Sequence, residues 1–403
     1  MNYDERKQDG IMKRIVIFSG NRAEFGILFP LIYTLHTYYR LEIILSGAHV
    51  LKRWATESDV KKQLQDNHIS CHVTDIPLSA KNNIYTRCLG EIYDKTLDFF
   101  ETNQDVDLAV VLGDRIETAA FALGAFYSRI PLLHICGGDV ADVFHFDTNI
   151  RHSITKLANY HFATNERSKN VLLQMGEEKH RVFNIGNLSY DYDRLGFLTP
   201  TAQLAEMYKL TQDDMLVVFT YHPTCDRTQE ENYKEFKSGL EAVIDSDAKK
   251  IIVTFPNNDP GHELIFDYIM SLDENERMMR VNSLGTYSYL SLMKNYRTII
   301  VGNSSSGLLE TTLYCVPVLN VGERQNGRVR GDNVTDVTAD YESVKTALNK
   351  LIQNYDTLRD KYTGTKYVFG DGRAAIKAKD YIDRIMERSK EERLFKKFVE
   401  RQE

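Results

Sequence analysis

The residues with the clearest chemical meaning are Gly302-Asn303-Ser304-Ser305-Ser306-Gly307, which follow an apolar segment ending at Val301 and lead into Leu308-Leu309-Glu310. Glycines allow close backbone approach to a ligand. Hydroxyls together with the free N–H groups of a helix start suit phosphate oxygens. Glu310 would repel phosphate but can accept hydrogen bonds from sugar hydroxyls. A diphosphate on Ser304 and Ser305 with a ribose at Glu310 satisfies both facts; a serine-rich helix cap is the plainer alternative. A second turn, Ser19-Gly20-Asn21-Arg22-Ala23-Glu24-Phe25-Gly26, again follows an apolar run. It is neither GxGxxG nor a Walker loop, so dinucleotide and ATP readings lose support. Arg22 can pair an oxyanion bidentately, or it is a surface arginine on a capped turn.

Proton-transfer candidates lie elsewhere. His134-Ile135-Cys136-Gly137-Gly138-Asp139 is followed by Asp142, His145, Asp147, Arg151 and His152. The spacing fits no usual zinc-ligand pattern, so no metal is implied. Carboxylates at a strand end, in a place of restricted water, can be tuned for acid–base work. Asp147 and Arg151 share a helix face and could form a simple ion pair. Asp114, in Leu112-Gly113-Asp114-Arg115, is either a helix N-cap or a base. His222-Pro223 and Pro256-Asn257-Asn258-Asp259 also close apolar runs, and Gly322-Glu323-Arg324-Gln325-Asn326-Gly327-Arg328 adds cationic donors suited to an anion.

These turns need elements to hold them. Short apolar runs recur at Ile15–Phe18, Leu41–Ser46, Leu108–Leu112, Leu132–Ile135, His161–Thr164 and Val182–Ile185. A second series comprises Leu216–Thr220, Lys250–Phe255, Met279–Val281, Thr298–Val301 and Val316–Val321. Amphipathic stretches lie between them, such as Glu24–Tyr39, Ile84–Phe100, Arg115–Tyr127 and Glu230–Ile244. Continuous apolar strands alternating with helices indicate parallel sheets covered on both faces. The expected fold is α/β, with two doubly wound Rossmann-like domains facing across a cleft. In such sheets ligands bind beyond the carboxyl ends of the strands. The expected boundaries are 12–188 with 375–403 for the first domain, carrying the sugar and acid–base residues, and 189–374 for the second, which binds nucleotide. Residues 1–11 are expected to be a flexible leader, and Ala374–Glu403 one long amphipathic helix.

Composition excludes other classes. The chain has 403 residues, a net charge of −7, 42% hydrophobic and 27% charged residues. That is ordinary globular usage, without the basic excess expected of a nucleic-acid binder. No apolar run has the length of a membrane helix, so neither nucleic acid nor membrane is an expected partner. Five scattered cysteines without a CxxC pair read as reduced thiols of a cytoplasmic protein.

Taken in order, FSGNRAEFG, VLGDR, HICGGD, FDTNIRHSITKLANYHF, the HP pair at 222–223, FPNNDPG, GNSSSGLLE, VGERQNGR and FGDGRA resemble the UDP-N-acetylglucosamine 2-epimerases, closest to their hydrolysing branch. The resemblance spans the chain from Met12 onward. It implies the two-domain GT-B architecture with the C-terminal helix returning to the first domain. It implies a UDP-sugar substrate, a homodimer or homotetramer, and no cofactor or metal. By position in the motifs, Arg22, Ser304, Ser305, Glu310 and Arg324 become UDP contacts, and Asn257 a sugar contact. Asp114, Asp139, Asp147, Arg151 and His222 become the acid–base and electrostatic residues. The expected reaction eliminates UDP to a 2-acetamidoglycal, then hydrates it to the free 2-epimeric sugar. A non-hydrolysing epimerase, a GT-B glycosyltransferase and a non-catalytic UDP-sugar sensor are the competing readings. One residue departs from the family pattern: relatives acting on UDP-N-acetylglucosamine carry a catalytic glutamate where this chain has Cys136. Either Asp139 or Asp142 takes over, or the sugar differs, a 2,4-diacetamido-6-deoxy sugar of the legionaminic-acid route being the plausible one.

Overall fold

The computed structural model describes residues 12–51, 56–78, 88–140, 146–224, 226–256, 261–365 and 367–400. These form two compact units. One contains the described residues up to 140, then 146–191 and 373–400; the other contains 192–372.

The first unit is built on seven parallel strands: β1 (Arg14–Ser19), β2 (Arg40–Leu45), β3 (Cys71–Asp75), β4 (Leu108–Leu112), β5 (Leu132–Ile135), β6 (Tyr160–Ala163) and β7 (Val182–Asn184). Their order across the sheet is β3-β2-β1-β4-β5-β6-β7. The second unit repeats the plan with β8 (Met215–Thr220), β9 (Lys250–Thr254), β10 (Met278–Val281), β11 (Arg297–Gly302), β12 (Val318–Val321) and β13 (Val334–Val337), ordered β10-β9-β8-β11-β12-β13. The two doubly wound parallel sheets expected from the alternating pattern are therefore present. The central strands β4 and β8 read Leu-Ala-Val-Val-Leu and Met-Leu-Val-Val-Phe-Thr, and their apolar side chains are buried. Helices cover both faces, which is why no polar alternation survives in these strands.

In each sheet the strand order reverses once, between β1 and β4 and between β8 and β11. Crevices for ligands open beyond the strand ends at such switch points. Asn21 and Asp114 stand just past β1 and β4; His222 and Asn303 stand just past β8 and β11.

The tail departs from the single long helix expected. It forms a helix at Ala374–Met386 that packs on the helix Arg22–Leu35, breaks, and resumes at Lys390–Leu394. Ser389 is the reason: its side chain accepts from the Glu392 N–H, and the Glu392 carboxylate accepts from the Ser389 N–H. This capping box starts a new helix and ends the old one. Beyond it, Arg181 donates to the carbonyls of Glu392 (2.8 Å), Arg393 (3.1 Å) and Phe395, holding the chain out of helix. The edge strands β3 and β13 were not anticipated. Cys-His-Val-Thr-Asp and Val-Thr-Asp-Val are half-exposed and lack the apolar continuity that marked the others.

Candidate functional site

In the first unit, Gly113 turns the chain at the end of β4 with φ +81°, a conformation favouring glycine. Buried His134 on β5 fastens this turn. Its Nε2–H donates to the Gly113 carbonyl (2.7 Å) and its Nδ1 accepts from Thr155 Oγ1 (3.1 Å). Burial pushes its pKa down to about 3, so it remains neutral. His134 is therefore a fastener between a strand-end turn and the helix Phe146–Leu157, and it presents Asp114 to that helix.

Arg151, on the same helix, is buried and joins two carboxylate residues. It forms an ion pair and hydrogen bond with Asp114. Its Nη1 donates to the Asp139 carbonyl (2.7 Å) and lies 3.6 Å from Asp139 Oδ2. Both carboxylates keep some contact with solvent, whereas the guanidinium keeps almost none. Asp114, Asp139 and Arg151 thus come together from two strand-end turns and a helix. Asp147 lies one helical turn before Arg151 and is half-buried. Cys136 sits at the end of β5 with φ +65°. Burial, then the charge of Asp139, pushes its thiol up to about 12, so it cannot act as a base near neutral pH. Asp142, His145 and Asn257 lie outside the described residues. Among the described residues no group of three His, Cys, Asp or Glu side chains is placed to hold a metal.

Arg22 opens the helix after β1 and is exposed, with Asn21 capping that helix by accepting from the Glu24 N–H (3.0 Å). Beneath this turn lies a group that the sequence reading passed over. Glu24 is buried; its Oε2 accepts from the Gly20 N–H (2.7 Å) and its Oε1 from Thr118 Oγ1 (3.3 Å). Glu117, equally buried, pairs with Arg115 at 3.4 Å. Burial pushes both carboxyls up, Glu24 to about 7, with the Glu117 charge adding to the effect on Glu24. The carboxyls link the turns after β1 and β4. Glu24 stands inside the quoted Asn-Arg-Ala-Glu motif, but nothing in one sequence says that its side chain folds back beneath Gly20.

In the second unit, Gly302 ends β11 at φ +131°, and a Cβ there would fall 1.9 Å from the Thr220 carbonyl oxygen. The chain then crosses directly over the end of β8. Buried Asn303 clamps His222 at both ends: its Oδ1 accepts from the His222 N–H (2.7 Å) and its Nδ2 donates to the His222 carbonyl (2.8 Å). The Asn303 carbonyl accepts from Arg324 Nη1 (3.0 Å) and Gln325 Nε2 (2.8 Å). Burial, then the nearby Arg324 charge, pushes His222 down to about 3. His222, Ser304 and Arg324 are thereby gathered around one buried asparagine that the sequence reading did not single out. Ser304 Oγ and Ser306 Oγ lie 2.9 Å apart. The helix that follows is a single turn, Ser306–Leu309, with Ser305 before it and half-buried Glu310 at its end. A hydroxyl-bearing turn, a guanidinium and a carboxylate on one strand end can take a phosphorylated, hydroxylated ligand.

The family model described as UDP-N-acetylglucosamine 2-epimerase matches residues 34–383. The hydrolysing UDP-N,N'-diacetylbacillosamine 2-epimerase of Legionella pneumophila is 28% identical over 91% of this chain and 94% of its own. The hydrolysing GDP/UDP-N,N'-diacetylbacillosamine 2-epimerase of Campylobacter jejuni is 32% identical over 87% of this chain and 88% of its own. Among solved structures, the UDP-GlcNAc 2-epimerase of Neisseria meningitidis bound to UDP-GlcNAc superposes with a TM-score of 0.76 at 20% identity, over 93% of this chain and 100% of that one.

Proposed function

For this chain, which belongs to the UDP-N-acetylglucosamine 2-epimerase family, we propose hydrolytic 2-epimerisation of a UDP-2,4-diacetamido-6-deoxy sugar, giving the free 2-epimeric sugar and UDP. The observation that carries this reading is the pair of carboxylates on one buried guanidinium, Asp114 and Asp139 on Arg151. Two proton-transfer groups are what the reaction needs, since the proton leaves one face of carbon 2 and returns to the other. Asp114 removes that proton. The electron pair forms the C1–C2 double bond, and the C1–O bond to UDP breaks with its electrons passing to the diphosphate. Arg22, Arg324 and the Ser304–Ser305 turn stabilise the departing charge; such fixed donors are typically worth about 3 kcal/mol each. Water then adds hydroxyl to carbon 1 and a proton to the opposite face of carbon 2. Asp139 supplies the second carboxylate where Cys136, a neutral thiol, cannot. Asp147 and His222 complete the electrostatic surroundings, Glu310 takes the ribose, and Asn257 takes the sugar. That the Legionella and Campylobacter relatives are hydrolysing diacetylbacillosamine 2-epimerases supports both the hydrolytic outcome and the diacetamido substrate.

Incubation with UDP-diacetylbacillosamine and, separately, UDP-N-acetylglucosamine in deuterated water, followed by NMR, tests the reading. Free sugar deuterated at carbon 2, with stoichiometric UDP and faster turnover of the diacetamido substrate, is expected. A product still joined to UDP would establish the non-hydrolysing alternative. UDP bound without exchange at carbon 2 would establish a sensor.

A further inference from the structure

The turn Ser19–Arg22 is held from beneath by groups that take no part in the reaction as drawn. The Gly20 N–H donates to Glu24 Oε2 (2.7 Å), and the Gly20 carbonyl accepts from the Ala48 N–H (2.8 Å). Gly47 permits this approach: its φ is +56°, and a Cβ there would fall 2.6 Å from the Gly20 carbonyl oxygen and 2.9 Å from Glu117 Oε1. Ser19 Oγ donates to the Asn21 carbonyl (3.1 Å) and accepts from His49 Nε2–H (2.9 Å). The titratable and charged groups around Glu24 are Arg115 and Glu117 at the start of the helix Ile116–Tyr127, His49 on the segment Gly47–His49, and Arg22 on its own helix. Arg115 pairs with Glu117. Burial pushes His49 down to about 4, so it is neutral. The hydrogen-bond donors to Glu24 are uncharged, the Gly20 N–H and Thr118 Oγ1. Its own proton loss falls near neutral pH, at about 7.

We propose that Glu24 is a positioning residue for diphosphate binding: as a neutral acid it holds the Gly20–Arg22 turn, and it takes up a proton when the anion arrives. This rests on the reading of Arg22 as a UDP contact. The neutral carboxyl keeps both hydrogen bonds, with Oε2 accepting from the Gly20 N–H and Oε1–H donating to Thr118 Oγ1. An ionised carboxylate would set a negative charge beneath the same turn that meets the diphosphate, in a buried place where like charges repel more than in water. Proton and ligand are therefore linked. Bound diphosphate favours the protonated acid, and the protonated acid favours the diphosphate by the same factor.

Calorimetric titration of the full chain with UDP, in buffers of different ionisation enthalpy along a pH series, counts the protons taken up with the ligand. In the wild type the uptake should approach about one proton as pH rises above about 7. Affinity should fall there by up to about tenfold per pH unit, the limit for one linked proton. Glu24→Gln keeps the shape and both hydrogen bonds but has no proton to exchange. It should lose the uptake and hold its affinity across the same range; protonation of UDP itself cancels in the comparison. In turnover, the wild-type KM for the UDP-sugar should rise over this range more than that of Glu24→Gln, with kcat following the same profile in both. Equal proton uptake in the two proteins, or none in the wild type, would overturn the inference and leave the UDP site standing. UDP that failed to bind the wild type at any pH, or bound equally well after Arg22→Ala, would instead overturn the reading of the site on which the inference rests.

Discussion

Asp114 is held by a buried guanidinium and by a turn that His134 fastens, so replacing its carboxylate by an isosteric amide removes proton-accepting power without moving the turn. Asp114→Asn should therefore bind UDP nearly as the wild type does, by calorimetry. It should lose about 10²- to 10⁴-fold in kcat, the usual worth of a positioned acid or base, read from UDP release. Unchanged kcat would remove Asp114 from the chemistry. Glu24 is a different case, a carboxyl whose folded pKa lies above its ordinary value, at about 7 against 4.5. Its folded form binds the proton more tightly than its unfolded form. Its stabilising contribution is complete below about 4.5 and is lost as pH rises through about 7. Glu24→Gln cannot ionise, so its unfolding midpoint in urea should fall less than that of the wild type between these pH values; parallel curves would refute the shift. The strand-end turns themselves were legible because glycine, serine and arginine directly follow apolar runs, although a helix cap was the competing use of the same residues. Asn303 and Glu24 were not, because their roles are contacts between distant segments: Asn303 reaches His222, eighty-one positions away, and spacing along one chain carries no trace of that.

The strands carry the site by ending in particular ways, and β11 shows how narrow the tolerance is. At Gly302 both the left-handed φ and the 1.9 Å approach of a Cβ to the Thr220 carbonyl forbid a side chain. The obstacle is backbone of the central strand β8, which cannot swing aside. Gly302→Ala should lower the melting temperature, with strained backbone alone costing about 1–3 kcal/mol. The displaced Asn303 should release His222 and weaken UDP binding as well. Calorimetry in the absence and presence of UDP reads both effects, and a variant that melted and bound like the wild type would show that β8 and β11 can part. The buried central strands were visible in sequence as unbroken Val-Ile-Leu runs. The edge strands β3 and β13 were not, since a strand paired on one side needs little apolar surface. The break in the tail helix turned on the capping box at Ser389, two hydrogen bonds whose signature, Ser-Lys-Glu-Glu, lies within a stretch of otherwise helical pattern.

Seen over the whole chain, the first unit is discontinuous in sequence and is completed only by the last residues. Lys396 reaches back to the carbonyl of Ala158 (2.6 Å) and pairs with Glu177 at 3.0 Å; Glu177 also meets His161 at 2.9 Å and Lys156 at 2.7 Å. Phe398 packs on Gly176, where a Cβ would fall 2.5 Å from its ring, and Val399 donates to the Gly176 carbonyl (2.9 Å). Burial by itself pushes the Glu177 carboxyl up, but the hydrogen bonds from His161 and Lys156 and the charge of Lys396 outweigh it and hold the group at about 2. A carboxylate depressed in the folded state adds stability that is present above its unfolded pKa and is lost as pH falls through the folded value. From 4.5 to about 2 the shift corresponds to about 3 kcal/mol. Acid should therefore loosen the first unit as pH falls across that window, and Glu177→Gln should shift its acid transition toward neutral pH. Deleting 389–403 should do the same more strongly, because it removes Lys396 and uncovers Gly176 together. Pepsin digestion and amide exchange followed by mass spectrometry along a pH series would assign the loss to residues 146–191 ahead of 192–372. Simultaneous loss in both segments would show that the tail stabilises the chain by some route other than the Glu177 cluster.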